Sequence, residues 1–127
     1  MPFIHSIKVP PEDIDQMGHV NNVMYLRYVQ ETAEAHWKSF ASRSLQNDVL
    51  WVVLRHEIDY KKSAMEGEIL QCSTWVEEAY GVKMPRFVEI RNSYGDLIVR
   101  AKTTWCAIDA ITKRPKRIEI ELYNQFL

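Results

Sequence analysis

The chain has 127 residues, of which 46% are hydrophobic and 26% charged, and a formal net charge of −1. That length suits one domain, expected over residues 1–127, and the composition excludes disordered, collagen-like and repeat architectures. The near-neutral balance supplies no field for nucleic acid, no apolar run approaches the ~18 residues of a membrane span, and the start lacks an export signal, so a soluble cytoplasmic protein with no membrane partner is expected.

Phe3 to Val9 reads as a short strand, stopped by Pro10-Pro11. From Asn22 to Phe40 there is no proline or glycine, and Leu26, Val29, Ala33, Trp37 and Phe40 recur at helical spacing. Tyr25, Tyr28, Thr32, Ala35 and His36 make the other side large or apolar. Arg27, Gln30, Glu31, Glu34 and Lys38 leave only a narrow polar stripe, which predicts a mostly buried helix.

Beyond Asn47 the period changes to two. Leu54, His56, Ile58 and Tyr60 share one face of a predicted central strand. Leu70, Cys72, Thr74 and Val76 share one face of a second, within Glu68–Glu78. A third spans Val82 to Asn92, where Pro85 argues for an edge or a strand beginning, and the last runs from Leu97 to Asp109. Met65-Glu66-Gly67, Ala79-Tyr80-Gly81 and Ser93-Tyr94-Gly95-Asp96 punctuate these runs as turns, and the spacing predicts an antiparallel meander. Cys72 and Cys106 sit inside strand-like runs, where buried reduced thiols are expected. The tail from Lys113 holds a basic knot and then a short helix or turn. One long helix and these strands predict an α+β domain in which the sheet wraps the helix.

The segment Glu12-Asp-Ile-Asp-Gln-Met-Gly-His-Val-Asn-Asn22 runs from a loop into the helix. A helix start leaves backbone N–H groups unpaired and carries partial positive charge, so it can hold an oxyanion. A carboxylate seven residues upstream, Asp15, could then face the carbonyl bound there. That juxtaposition suits ester or thioester cleavage. Asn21 or Asn22 also reads as a helix N-cap. The histidines at 5, 19, 36 and 56 and the two separate cysteines have no ligand spacing, so neither metal nor cofactor is expected.

The run Asp13-x-Asp15-x-x-Gly18-His19-Val20-Asn21-Asn22-x-x-Tyr25-Leu26 resembles the signature of the hot-dog acyl-CoA thioesterases, typified by 4-hydroxybenzoyl-CoA thioesterase and the YbgC-type enzymes. It is also similar to the active-site segment of plant acyl-ACP thioesterases. Ile58 to Glu68, Trp105 to Asp109 and Arg114-Pro115 extend the resemblance over nearly the whole chain. It implies a hot-dog fold, one long central helix wrapped by five or six antiparallel strands. It also implies hydrolysis of an acyl-CoA or acyl-ACP thioester, and sheets joined edge to edge in a homodimer or homotetramer.

Carried onto this sequence, the family's catalytic carboxylate matches Asp15 and its oxyanion-binding amide matches the N–H of Asn22, where YbgC-type members carry histidine. The plant enzymes keep His19, Asn21 and Asn22 as further catalytic candidates. Gly18 matches a turn that lets substrate approach the backbone, and Tyr25 is a substrate contact or a core residue. Lys61-Lys62, at the end of the predicted central strand, are the favoured contacts for coenzyme phosphates, while Arg86, Arg91 and the Lys113–Arg117 knot read as solvated faces. Two competing functions are a non-catalytic acyl-CoA-binding module, which would release no thiol, and a hot-dog dehydratase or hydratase, for which the sequence shows no pattern.

Overall fold

The computed structural model describes residues 2–127. Strand β1 (Phe3–Lys8) leads through a single 3-10 turn (Pro11–Asp13) and a loop into helix α1 (Asn22–Phe40). Helix α2 (Arg43–Asp48), strands β2 (Val49–Tyr60), β3 (Ile69–Val76), β4 (Lys83–Arg91) and β5 (Leu97–Asp109), and helix α3 (Ile120–Gln125) complete the chain. The five strands form one antiparallel sheet in the order β1-β3-β4-β5-β2, with α1 across one face.

Helix α1 begins at Asn22 because Asn21 caps it, the side-chain oxygen accepting the Val23 N–H. Its buried residues, Tyr25, Tyr28, Val29, Thr32, Ala33, His36 and Trp37, repeat at three- and four-residue intervals along one side. They fill the space above Leu70, Cys72, Val88, Ile90, Val99 and Ala101 at one end of the sheet. Trp37 joins Val49, Met84, Ala107 and Phe126 at the other. Each large apolar side chain removed from water in this way contributes about 1.5–3 kcal/mol. The expected polar stripe of Arg27, Gln30, Glu31, Glu34 and Lys38 is exposed, so α1 is covered on the sheet side only, and the expectation of a mostly buried helix needs that correction.

The strand phases of β3 and β5 are those the alternation predicts, and both cysteines are buried and free. Two expectations fail. The meander holds for β3-β4-β5 only: β2 pairs with β5 and β1 with β3, so β2 is an edge strand and Lys61-Lys62 follow an edge, not a central, strand. Strand β4 is internal, so of the two readings of Pro85 the strand beginning holds and the edge does not: the residue is third in β4, where its carbonyl accepts the Glu77 N–H. Finally, β2 begins at Val49, five residues earlier than the alternation indicates, because a bulge between Val53 and Arg55 inserts Leu54 and reverses the phase. Val49, Trp51 and Val53 are thus turned inward before it, and His56 and Ile58 after it, while Leu54 is exposed. Helix α2, too short to show a period, is held by a Ser42 cap on the Leu45 N–H.

Candidate active site

The motif folds as a tight hairpin that closes directly onto the start of α1. The Asn21 N–H donates to the Asp13 carbonyl, Ile14 and Val20 form an antiparallel bridge, and the Asp15 N–H donates to the His19 carbonyl at 2.8 Å. At its tip the Gly18 N–H returns to the Asp15 carbonyl with Gly18 at φ 80°, a left-handed conformation that a side chain would strain. The Val20 N–H donates to the Ala64 carbonyl, which ties the hairpin to the segment following β2.

Within this frame Asp15 is half-buried, and its Oδ1 accepts the N–H groups of Met17 at 2.9 Å and His19 at 3.3 Å. The Asx-turn so formed fixes the carboxylate plane and leaves Oδ2 without a partner among the described residues. Across the junction, the capped Val23 N–H and the Met24 N–H, which donates to the Asn21 carbonyl, are satisfied. The Asn22 N–H is not, among the described residues. An oriented carboxylate and an unpaired N–H at the positive end of a 19-residue helix therefore stand at the two sides of one hairpin–helix junction. The Asn21 side chain is the cap and that of Asn22 is exposed. His19, half-buried, binds through its backbone, and its ring makes no hydrogen bond among the described residues.

Asp13 and Tyr25 are supports beneath this site. Asp13 is buried and its Oδ2 accepts the Tyr28 hydroxyl at 2.5 Å; burial, with that carboxylate, pushes the Tyr28 phenol well above its ordinary value. The buried Tyr25 hydroxyl accepts the Ala64 N–H at 2.9 Å, so its contact is with the protein's own backbone. Its ring lies 5.8 Å from Tyr60, whose hydroxyl donates to the Asn22 carbonyl at 3.4 Å. This brings the end of β2, and with it Lys61 and Lys62, beside the helix start of the same chain. Lys62 is engaged, its Nζ 2.7 Å from Asp96 Oδ2; Lys61 is exposed and makes no ion pair among the described residues.

A second feature went unseen in the sequence. A cavity of about 440 Å³ opens between α1 and the sheet, lined by Gln30, Ala33 and Trp37 of the helix and by Trp51, Val53, Met84, Arg86, Trp105 and Phe126. Arg86, expected on a solvated face, is only 3% exposed, because it shares the inward side of β4 with Met84, Val88 and Ile90. Its Nη1 donates to Thr74 Oγ1 at 2.8 Å and to His36 Nδ1 at 3.0 Å, and burial lowers its pKa to about 10, which leaves it cationic at neutral pH. Burial, aided by that guanidinium, holds His36 down at about 4, so it is neutral and accepts from Arg86. Trp51 Nε1 and Trp105 Nε1 are buried with no acceptor among the described residues, a state that costs about 1–3 kcal/mol for each donor. The available signal was period two: Arg86 is in phase with three apolar residues of its strand.

Residues 2–126 match the acyl-ACP thioesterase N-terminal domain family. The chain is 24% identical to the acyl-carrier-protein hydrolase FATB3 of Cuphea viscosissima, over 96% of this chain and 32% of that protein, so it spans about a third of the plant relative's length. It is 26% identical to the long-chain acyl-CoA thioesterase FadM of Escherichia coli (strain K12), over 92% of this chain and 91% of that one. Among solved structures, SAV2348 from Staphylococcus aureus, in complex with CoA, superposes with a TM-score of 0.86 at 15% identity, covering 98% of this chain and 81% of that chain, a likeness of fold.

Proposed function

Because the chain belongs to the acyl-ACP thioesterase N-terminal domain family, with the hot-dog arrangement of one long helix on a five-stranded antiparallel sheet, we propose that it hydrolyses acyl thioesters, with acyl-CoA as the substrate and Asp15 as the catalytic carboxylate. The observation that carries this reading is the hairpin that closes Asp15, with one carboxylate oxygen unpaired among the described residues, onto the start of α1, where the Asn22 N–H is likewise unpaired among them. The thioester oxygen accepts from the Asn22 N–H, and the helix dipole stabilises the negative charge that gathers there as the carbonyl carbon becomes tetrahedral. Asp15 supplies an electron pair to that carbon, or to a proton of the attacking water. The carbon–sulfur bond then breaks and the thiolate leaves, taking up the proton that Asp15 removed from water. Where the carboxylate itself attacked, the thiolate takes a solvent proton, and a water then hydrolyses the acyl-aspartyl anhydride to free acid and Asp15. His19, at the lip of the same hairpin, is the further polar group available to water or to the leaving sulfur. Gly18 leaves the tip of the hairpin bare, and Tyr25 holds the far wall against Ala64.

The coenzyme's phosphates lie beside Lys61, and the long-chain acyl and CoA chemistry named for FadM and SAV2348 supports that choice. The enzyme acts as a homodimer joined through β2. This edge strand exposes Leu50, Val52 and Leu54 together with an unpaired backbone ladder, a combination that single chains in solution usually cover.

The test is thiol release from a panel of acyl-CoA substrates. Asp15→Asn should lower turnover at least ~100-fold at nearly unchanged thermal stability, whereas Asp13→Asn should act mainly on stability. Equal loss of turnover in both variants, or undiminished turnover in Asp15→Asn, defeats the assignment. Absence of thiol release from the wild-type protein returns it to an acyl-CoA-binding module. Oxygen-18 from solvent found in Asp15 after a single turnover establishes direct attack, because only an anhydride cleaved at the aspartyl carbon leaves it there, and hydroxylamine capture of that anhydride reports the same route when cleavage is at the acyl carbon.

A further inference from the structure

We infer that the cavity beside α1 is a subsite for the distal end of the acyl group, and that it selects an acyl group ending in a carboxylate over a plain hydrocarbon chain. This rests on the hydrolase reading above. Asn22, Leu26, Gln30, Ala33 and Trp37 follow one another at three- and four-residue spacing, so a single stripe of α1 leads from the helix start to the cavity. At 1.5 Å per residue, Gln30 lies about 12 Å and Trp37 about 22 Å along the helix from Asn22, the reach of a medium to long acyl chain.

Strand β2 walls the same path. Tyr60 touches the Asn22 carbonyl, His56 Nε2 comes within 3.4 Å of Gln30, and the Trp51 ring lies 5.5 Å from that of Trp37. A chain held at the Asn22 N–H by its thioester oxygen and laid along this stripe ends among Trp51, Arg86, Trp105 and Phe126.

The chemistry at that end is one-sided. Arg86 is buried and cationic, and no carboxylate lies within 4.0 Å of it among the described residues. Its Nη1 is committed to Thr74 and His36, while Nε and Nη2 have no partner there. Two buried indole N–H groups in the same lining also lack acceptors. The lining carboxylate, Glu34, sits at the mouth in solvent, paired with Lys38 at 2.7 Å. The guanidinium is held by Thr74, His36 and the face of Phe126 at 5.5 Å, but a methyl-ended chain would leave its charge without a counter-ion and two indole donors without acceptors; a terminal carboxylate brings two accepting oxygens and the opposite charge to this lining.

The experiment compares dodecanoyl-CoA with the monothioester of dodecanedioic acid and CoA, equal in chain length and differing at the far end. The wild-type protein should favour the dicarboxylic substrate by about tenfold or more in kcat/KM, since a site built from polar groups penalises the analogue that leaves them unpaired. Arg86→Met should abolish or invert that preference. Trp105→Phe, which keeps the ring and removes only the donor, should reduce it without changing the melting temperature, so the inference does not depend on Arg86→Met folding. Equal rates for the two substrates, preference for dodecanoyl-CoA, or a preference that survives in Trp105→Phe and Arg86→Met overturns it. If neither thioester is cleaved, the hydrolase reading fails on its own. Calorimetric binding of the same two ligands to the wild-type protein then decides the subsite: tighter, Arg86-dependent binding of the dicarboxylic ligand upholds it, and equal binding overturns it.

Discussion

Acidification is expected to destabilise this protein through His36, because the fold holds that ring neutral. The ring is packed by Phe3 at 4.9 Å, Phe40 at 5.5 Å and Phe126 at 5.6 Å, and among the described residues the charged group that acts on it is Arg86, whose Nη1 donates to His36 Nδ1. A proton on Nδ1 would destroy that bond and set two cations together out of water. The folded state therefore keeps His36 neutral down to about pH 4, while the unfolded chain takes up the proton near 6.5. Stability from this group is fully present above pH 6.5 and is lost as pH falls through about 4. At about 1.4 kcal/mol per pH unit the full loss is about 3 kcal/mol, or roughly 10 °C in melting temperature for a chain of this size.

The assay is thermal or urea unfolding as a function of pH for the wild-type protein and His36→Gln. The glutamine carbonyl can still accept from Arg86 but cannot titrate, and subtracting its pH profile removes the carboxylates common to both proteins. The wild type should lose about 3 kcal/mol more than the variant on acidification. Parallel profiles, or a wild type that gains stability in acid relative to the variant, would refute the reasoning.

Other perturbations reach the supports of the site. Tyr28→Phe strips the buried Asp13 carboxylate of its side-chain partner and should cost about 1–3 kcal/mol in urea unfolding. In the wild type, the raised Tyr28 value means that this tyrosine's contribution holds below pH 10 and is lost as pH rises above it, a decline that should vanish in the variant. Lys61→Glu should raise KM for acyl-CoA and flatten its salt dependence, while leaving turnover of a short thioester lacking the nucleotide unchanged. Lys62→Glu should do less, because Lys62 is already paired with Asp96. Val52→Lys on the exposed edge should convert a dimer to monomers by sedimentation, and a wild-type protein already monomeric at micromolar concentration would remove β2 as an interface.

What the sequence made legible was local. Helix α1 was bounded correctly at both ends because Asn21 and the apolar period lie within a few residues of what they determine, and the phases of β3 and β5 follow from alternation alone. The hairpin from Asp13 to Asn21 folds largely on itself, so its closure onto the helix start is set by residues close together in the sequence. Strand order was not local. Nothing in the β2 segment states that it pairs with β5 at the edge, and periodicity cannot distinguish an edge strand from a central one when both are half apolar. The cavity was invisible for the same reason: Gln30, Trp51, Arg86, Trp105 and Phe126 come from five separate elements or segments. A charged side chain in a strand is, from sequence, a solvent-facing one until its neighbours in space are known.

The bulge at Leu54 makes β2 two half-strands of opposite parity joined by one spare residue. Any side chain at position 54 points away from the core, so replacement there is mild. Removal is mild as well: Val53 and Arg55 already oppose the consecutive residues Trp105 and Thr104, so excising Leu54 restores plain alternation and leaves Trp51, Val53, His56 and Ile58 all facing inward. The same position is therefore permissive to exchange and to excision alike, and a library of codon deletions across β2 would single it out as a place where this wall of the acyl path can lose a residue without turning an inward side chain out.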